Sequence, residues 1–567
     1  MADRPDGIQT VAEAYLTLLK ARGIDWLFAN AGSDFAPIIE ALSRGASVGL
    51  AMPEPLAVPH ETVAVGMAHG YYLASGRPQA VMVHVNVGTA NALMGLLNAA
   101  RDAVPILFTS GRTPVTEAGR LGARDLPIHW GQEMYDQGGM LREYVKWDYE
   151  LRYGEQLEQI VDRALAIAMT PPVGPVYLSL PREALAAPLA HWTFAETPRL
   201  RAPAAPAPAP EAIAEAAAIL ARAERPLIIA GRGDGTERGF EALARFALRF
   251  AIPVVEFWPS RLSLATDHPM HAGFDVMPWL PESDAVLVLD AMVPWLPQRH
   301  PLPADCPVIQ IGPDPLFSDL PMRSFPATIA IAAAVGDTLD ALGAALDHES
   351  MHPAIEERRR WIEGQNRERH QALAAAAQAG QGEPMSQAWI SRCVDRAKDA
   401  DAMVFNELGC DPAQLTFTAP GCYFSHSLAG GLGWGLPAAL GAQLACPDRL
   451  VIAAVGDGSY MFANPLACHQ LAEAKGLPVL TCVFNNGVWN AVRKSTASVY
   501  PDGHAVRSNR MPLSSLEPSP RYEMIVAASG GYGERVEAAA DLPAALERAL
   551  HAVKVEKRQA LLNVICQ

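Results

Sequence analysis

A chain of 567 residues, half of them hydrophobic and 19% charged, is expected to be globular and to hold more than one domain, because a single hydrophobic core rarely grows beyond about 250–300 residues. The formal net charge of −16 argues against nonspecific binding to nucleic acid or to an anionic membrane surface, and no run of about 18 apolar residues appears that would span a bilayer. Eight cysteines, all between positions 306 and 566 and without a CxxC pair, exclude a disulfide framework and a zinc–thiolate site.

The opening MADRPDGIQT has no apolar h-region, so the expected compartment is the cytoplasm. Helix and strand patterns alternate from position 10 to 180 and end in the apolar run PVYLSLP, an N-terminal α/β domain over 1–190. Ser33 lies here in NAGSDF. Further on, VPHETVAVGMAHGYYLASGRPQAVMVHVNVG predicts a helix headed by Glu61, directly after His60, running to about Ala74, and then a strand that ends at His84. Gln132 stands in HWGQEMYDQ, flanked by His129 and Asp125, which read as surface-loop residues. ETPRLRAPAAPAPAPE belongs to a Pro/Ala linker over 191–211 that should run extended. The segment 212–350 carries a helix over 212–223, the strand PLIIAGRG and the apolar runs DAVLVLDA and CPVIQIGPDP, a small parallel α/β domain. Its GRGDG at 231–235 places glycines after a strand but lacks GxGxxG spacing. RRRWIEGQNRERHQALAAAAQAG is a helical connector over 351–383, and a third domain fills 384–567.

The richest stretch is VIAAVGDGSYMFANPLACHQLAEAKGLPVLTCVFNNGVWN over 451–490. An apolar run at 450–455 reads as a buried parallel strand, one helical pattern follows as far as Gly476, and a second apolar run covers 479–484. This is a βαβ unit whose loops open at the carboxyl ends of its strands. Gly456 and Gly458 are expected to turn the backbone sharply toward a ligand. Asp457 offers the hard oxygen that Mg²⁺ prefers, Asn486 a second oxygen and the Val488 carbonyl a third. A cation with so few protein ligands completes its octahedron with water and substrate phosphates, so the site implies a phosphorylated ligand. Upstream, YFSHSLAGGLGWGLPAALGAQLA is a Gly-rich turn that opens a small-residue helix.

GDGSYMF followed by FNN resembles the cofactor motif of the thiamine-diphosphate-dependent enzymes, the family of acetolactate synthase, pyruvate oxidase and benzoylformate decarboxylase. The resemblance implies three parallel-sheet α/β domains (pyrimidine-binding, central and diphosphate-binding), with Asp457, Asn486 and the Val488 carbonyl on Mg²⁺. It places Gly456, Gly458 and Ser459 beside the diphosphate of thiamine diphosphate. The HE context of Glu61 matches the family's glutamate, which bonds the aminopyrimidine ring and relays removal of the C2 proton. Gly431 and Leu432 fall where the family cradles the cofactor and bends it over an apolar wedge. Ser33 and His84 stand where benzoylformate decarboxylase has its active-site serine and histidine, and Gln132 resembles the cleft glutamine of acetolactate synthase. The histidine that benzoylformate decarboxylase brings from its central domain lacks a clear counterpart, since AMVPWLPQRH puts Pro297 near that place and His300 three residues on.

Trp489, Asn490, Val492 and Arg493 are expected to face the substrate, Arg493 as a bidentate partner for a carboxylate. The Pro/Ser-rich segment 500–521 is expected to be either a lid or a static loop. In the family the two ends of the cofactor are held by different subunits, so a homodimer is the minimum and a homotetramer the expected assembly; FAD in the central domain is a minor expectation, from the acetolactate synthase branch alone. The reaction so implied is Mg²⁺-dependent decarboxylation of a small 2-oxo acid with carboligation to a second carbonyl such as an aldehyde, which Gln132 favours. Decarboxylation with release of an aldehyde is the alternative that Ser33 and His84 favour. A non-catalytic cofactor-binding subunit is opposed by the intact Glu61, Asp457 and Asn486.

Overall fold

Three parallel β-sheets carry the chain, as the alternation of apolar runs and helical patterns predicts. The computed structural model describes residues 7–189, 192–233, 235–347 and 355–567. Most of the opening decapeptide, the head of the expected linker at 191, Asp234 within GRGDG and the head of the expected connector at 351–354 lie outside the described residues. By its internal contacts the chain divides into two compact units, one of 1–204 with 427–447 and one of 205–426 with 448–567.

In the first unit, strands β1 (Trp26–Asn30), β2 (Glu54–Ala57), β3 (Ala80–Val83), β4 (Leu107–Arg112), β5 (Asp148–Glu150) and β6 (Val176–Pro181) form one sheet in the order β2-β1-β3-β4-β6-β5. Every residue of β3 and β6 is buried, the expected result for a sheet covered on both faces, and the reason these strands read as unbroken apolar runs. The helix Glu61–Ser75 begins as predicted, with the His60 ring accepting the Thr62 N–H at 3.2 Å as its cap.

A helix from the far end of the sequence, Gly435–Ala445, packs on it, and at two glycines the backbones meet directly. A Cβ at Gly70 would lie 1.9 Å from the Ala438 carbonyl oxygen, and one at Gly441 2.0 Å from that of Met67. Only glycine permits that approach. The two helices thereby anchor the 427–433 turn to the first unit, where Asn98 clamps the Gly431 peptide, its Nδ2 donating to the carbonyl at 2.8 Å and its Oδ1 accepting the N–H at 3.2 Å.

The second unit holds two sheets. Strands β7 (Pro226–Ala230), β8 (Val254–Glu256), β9 (Ala285–Leu289), β10 (Val308–Gly312) and β11 (Ile329–Ala332) run in the order β11-β10-β9-β7-β8. The other sheet contains β12 (Met403–Glu407), β13 (Tyr423–Ser425), β14 (Val451–Gly456), β15 (Leu480–Asn485), β16 (Tyr532–Val536) and β17 (Ala560–Ile565), in the order β13-β12-β14-β15-β17-β16. Residues 201–209 of the Pro/Ala segment carry no regular structure, and the next helix starts two residues earlier than expected, at Pro210, because proline is well suited to the first helical turn. A helix at Ile355–Ala379 occupies the expected connector. The eight cysteines are free thiols. Among the described residues no helix is long and apolar enough to cross a membrane.

Candidate active site

In the first unit the loops at the carboxyl ends of β1, β2, β3 and β4 hold the polar groups that the sequence singles out. Glu61, in the first turn of its helix, is 8% exposed. Its Oε2 accepts a hydrogen bond from Asn91 Nδ2 at 3.2 Å. Gly88 leaves room for the carboxylate, since a Cβ there would lie 3.3 Å from Oε1.

His84 follows β3 and directly precedes the helix Val85–Arg101. Its Nδ1 lies 2.5 Å from Oδ1 of Asp34, which is itself 2% exposed, and its Nε2 lies 3.1 Å from Gln132 Nε2. Two glycines make this line possible. A Cβ at Gly32 would fall 2.1 Å from His84 Nδ1, and one at Gly111 would fall 1.6 Å from Asp34 Oδ2. Val85 takes φ +28°, a left-handed backbone unusual for a β-branched residue, at the point where His84 is presented.

Ser33 is half a step away. Its Oγ lies 3.4 Å from Nε2 of His129, and His129 Nδ1 accepts the backbone N–H groups of Asp125 and Leu126 at 3.2 and 3.4 Å. With Nδ1 an acceptor, the neutral ring carries its proton on Nε2 and donates toward Ser33. Burial holds the His129 pKa below the usual histidine range, with the Arg182 guanidinium acting in the same direction.

The reading of His129 as a surface residue is therefore corrected: it is buried beside Ser33, whereas Asp125 is exposed and paired with Arg182. His129 was misread because the exposed Leu126, Ile128 and Trp130 around it give the segment no inward-facing pattern. Asp34 and Asn91 were missed for a similar reason. Their partners lie 50 and 30 residues away in the chain, so nothing local marks them beyond the position of Asp34 next to Ser33.

In the second unit, the loops after the adjacent strands β14 and β15 meet at Asp457. Its carboxylate is 4% exposed and accepts the N–H groups of Gly458 and Gly487, both at 2.8 Å. Burial raises its pKa above the ordinary carboxylate value, and these backbone donors oppose the rise. No cationic side chain pairs with it among the described residues. Asn486 Oδ1 accepts the Val488 N–H at 3.1 Å, folding the loop around Gly487 at φ +65°.

Ser459 Oγ is buried and has no hydrogen-bond partner. A buried carboxylate without a counter-charge, an unsatisfied hydroxyl beside it and two further oxygens on the facing loop fit a divalent cation carrying a diphosphate.

The sharp turn expected of Gly456 and Gly458 is not the reason for these glycines. Gly456 is extended at φ −66°, and Gly458 lies in the short helix Asp457–Phe462. A Cβ at Gly458 would lie 2.2 Å from the Trp489 ring, so glycine is needed to let that ring cover the turn. The single helix expected between the two strands is two helices, Asp457–Phe462 and Pro465–Lys475, divided at Asn464 in the left-handed region. Proline at the start of the second helix cannot continue the first.

Residues 514–519 of the segment expected to be lid or loop are bonded to the same site. Ser514 O accepts the Trp489 N–H at 2.8 Å, Leu516 N donates to Gly487 O at 2.7 Å, and Ser519 Oγ donates to Asn485 Oδ1 at 3.0 Å. Arg493 is half-buried and donates to Asn509 at 2.7 Å, on the helix that also carries Asn490 and Val492. His300 accepts the Leu296 N–H and stacks edge-on against Phe257, next to the exposed Pro297. Around GRGDG, Arg232 pairs with Asp290 at 2.9 Å, and the Arg261 guanidinium fills the space where a Gly235 side chain would go. Leu432 lies half-buried beside the clamped Gly431.

The helix that starts at Asp457 is anchored by a buried line. Tyr460 OH donates to His469 Nε2 at 2.8 Å, and His469 Nδ1 donates to Gln559 Oε1 at 2.7 Å. With no room for a second proton, burial pushes the His469 pKa down to about 4. The unfolded chain therefore binds a proton that the folded chain does not. The contribution is complete above about pH 6.5 and falls by about 1.4 kcal/mol per pH unit as the pH drops through the window from 6.5 toward 4. The urea midpoint should drop between about pH 7 and about pH 5, and His469→Gln should flatten that limb; an unchanged wild-type midpoint would contradict a buried neutral imidazole.

Comparison with known proteins agrees with this geometry. Residues 9–140 match "Thiamine pyrophosphate enzyme, N-terminal TPP binding domain", residues 213–342 its central domain and residues 408–564 its C-terminal TPP binding domain. The chain is 30% identical over 513 residues to a probable 2-ketoarginine decarboxylase of Pseudomonas aeruginosa, covering 86% of this chain and 84% of the relative. It is 29% identical over 505 residues to a benzoylformate decarboxylase of the same organism, covering 86% and 88%. A solved structure of a thiamine diphosphate-dependent 4-hydroxybenzoylformate decarboxylase of Rhodococcus jostii superposes with a TM-score of 0.75 at 24% identity, over 98% of this chain and 99% of the other, and shares its fold. The three matched domains in their order, with the glutamate and the aspartate–asparagine loops in the first and last, make this chain a member of the thiamine pyrophosphate enzyme family.

Proposed function

We propose that the chain is a thiamine-diphosphate- and Mg²⁺-dependent 2-oxo acid decarboxylase that releases an aldehyde. The observation that carries this reading is the line Asp34–His84–Gln132 beside Ser33, which gives the glutamate-bearing unit a group able to exchange a proton with substrate. The names of the two relatives, one acting on 2-ketoarginine and one on benzoylformate, support a 2-oxo acid with a large substituent.

When bound, thiamine diphosphate supplies the nucleophilic carbon and the electron sink for loss of carbon dioxide. Asp457, Asn486 and the Val488 carbonyl would hold Mg²⁺, and Ser459, with Gly456 and Gly458, would face the diphosphate. Glu61 would hold and exchange a proton at the pyrimidine ring, with Gly431 and Leu432 against the cofactor. His84 and Ser33 would bind and orient the substrate oxygens. The active form is proposed to be a homodimer or a pair of dimers, since the exposed Val115, Leu121, Trp130 and Tyr135 on one segment offer an apolar surface to a second copy.

Carboligation to a second carbonyl is supported by one observation, the buried Gln132 Oε1 without a hydrogen-bond partner, an acceptor free to hold an incoming hydroxyl. The deciding experiment supplies the purified protein with thiamine diphosphate, Mg²⁺ and, in turn, benzoylformate, 2-ketoarginine and pyruvate, and measures carbon dioxide, aldehyde and acyloin. One aldehyde per carbon dioxide is expected. Acyloin in place of aldehyde moves the reading to carboligation, and no carbon dioxide from any 2-oxo acid overturns it.

A further inference from the structure

We infer that Asp34 is a positioning residue that fixes the tautomer of His84, so that a base at His84 Nε2 and a hydrogen-bond donor at His129 Nε2 stand together in one site. The inference rests on the decarboxylase reading and adds a residue to which neither the sequence motifs nor the relatives assign a role.

The argument starts from hydrogen-bond capacity. Asp34 Oδ1 takes the Nδ1 side of His84 at 2.5 Å, and Oδ2 faces the Val85 N–H at 3.4 Å. An ionised carboxylate only accepts, so Nδ1 must carry the ring proton and Nε2 must present its lone pair. Gln132 Nε2, a donor 3.1 Å from that lone pair, satisfies the same tautomer. The Gln132 Oε1 left without a partner is the acceptor that a half-turn of the amide would bring to Nε2–H once the ring is protonated. One side chain can therefore serve both protonation states.

His129 is held in the opposite tautomer by two backbone N–H groups on Nδ1. The titratable and charged groups facing this pair of rings are Asp34 from the turn after β1, Arg124 and Asp125 from the segment before His129, Arg182 from the end of β6, and each ring the other, His84 from the end of β3 and His129 from the segment after β4. Decarboxylation of a 2-oxo acid anion to an aldehyde takes up one proton from water for each carbon dioxide lost, and His84 Nε2 is the nitrogen through which it passes. The missing Cβ atoms of Gly32 and Gly111 make the close approach of Asp34 and His84 possible.

The test is Asp34→Asn. Because the Val85 N–H requires an oxygen, the amide nitrogen of the variant turns toward His84 Nδ1 and moves the ring proton to Nε2. The full-length protein with thiamine diphosphate and Mg²⁺, labelled with ¹⁵N in histidine, is compared with the variant, His84 being assigned by its loss in His84→Gln. The wild type is expected to show a protonated Nδ1 at His84 and a protonated Nε2 at His129. The variant is expected to show His84 protonated on Nε2, with kcat lowered about 10²–10⁴-fold while KM, cofactor affinity and exchange of the cofactor C2 proton stay near wild type. A wild-type His84 protonated on Nε2, or a folded variant with unchanged kcat, overturns the inference. C2-proton exchange in the wild type tests the thiamine reading separately: without it the decarboxylase reading fails, and the assignment of Asp34 is then judged on the ¹⁵N spectrum alone.

Discussion

The Glu61→Gln protein is expected to bind thiamine diphosphate with near-wild-type affinity and to lose about 10²–10⁴-fold in kcat, the usual span for removal of a proton-transfer group. The substitution keeps the shape of the side chain, its place in the first helical turn and an oxygen for the Asn91 amide at 3.2 Å. What it removes is the exchangeable carboxyl proton. The informative measurement is hydrogen–deuterium exchange at C2 of added thiamine diphosphate, followed by quenched-flow NMR beside steady-state turnover. Exchange and turnover should fall together. A variant that turns over at the wild-type rate would remove Glu61 from the chemistry, and with it the reading of this carboxyl as more than a helix-terminal charge.

Asp457→Asn is expected to abolish Mg²⁺-dependent cofactor binding, with a loss of about 100-fold or more in affinity, read by calorimetric titration of thiamine diphosphate in the presence of Mg²⁺. Both carboxylate oxygens of Asp457 accept backbone N–H groups at 2.8 Å, and an amide has only one oxygen to give. One buried N–H would face an NH₂ group, costing about 1–3 kcal/mol locally, and the cation would lose its anionic ligand. Chelation of Mg²⁺ from the wild type should reproduce the binding defect without the local destabilisation. A variant that binds cofactor as the wild type does would place the cation elsewhere.

The family and the three-sheet architecture were legible in the sequence because each depends on local signals. Buried parallel strands are unbroken apolar runs, and the observed β14 and β15 lie within one residue of those expected at 450–455 and 479–484. The head of the Glu61 helix was readable because its cap, His60, is the adjacent residue. The nearness of Asp457 and Asn486 was readable because each directly follows one of two apolar runs that form the adjacent strands β14 and β15.

Only the tertiary structure decided how the polar groups meet. Asp34 joins His84, and Asn98 clamps Gly431 across 333 positions of sequence. His129, misread as a surface residue, turns inward to Ser33. Gly458 proved necessary for the Trp489 ring above it rather than for its own backbone angles. Strand order sets these encounters, and strand order leaves no trace in the periodicity of any one segment. The tautomers of His84 and His129 follow only once their partners are in place, because an imidazole takes its proton where the surrounding acceptors require it.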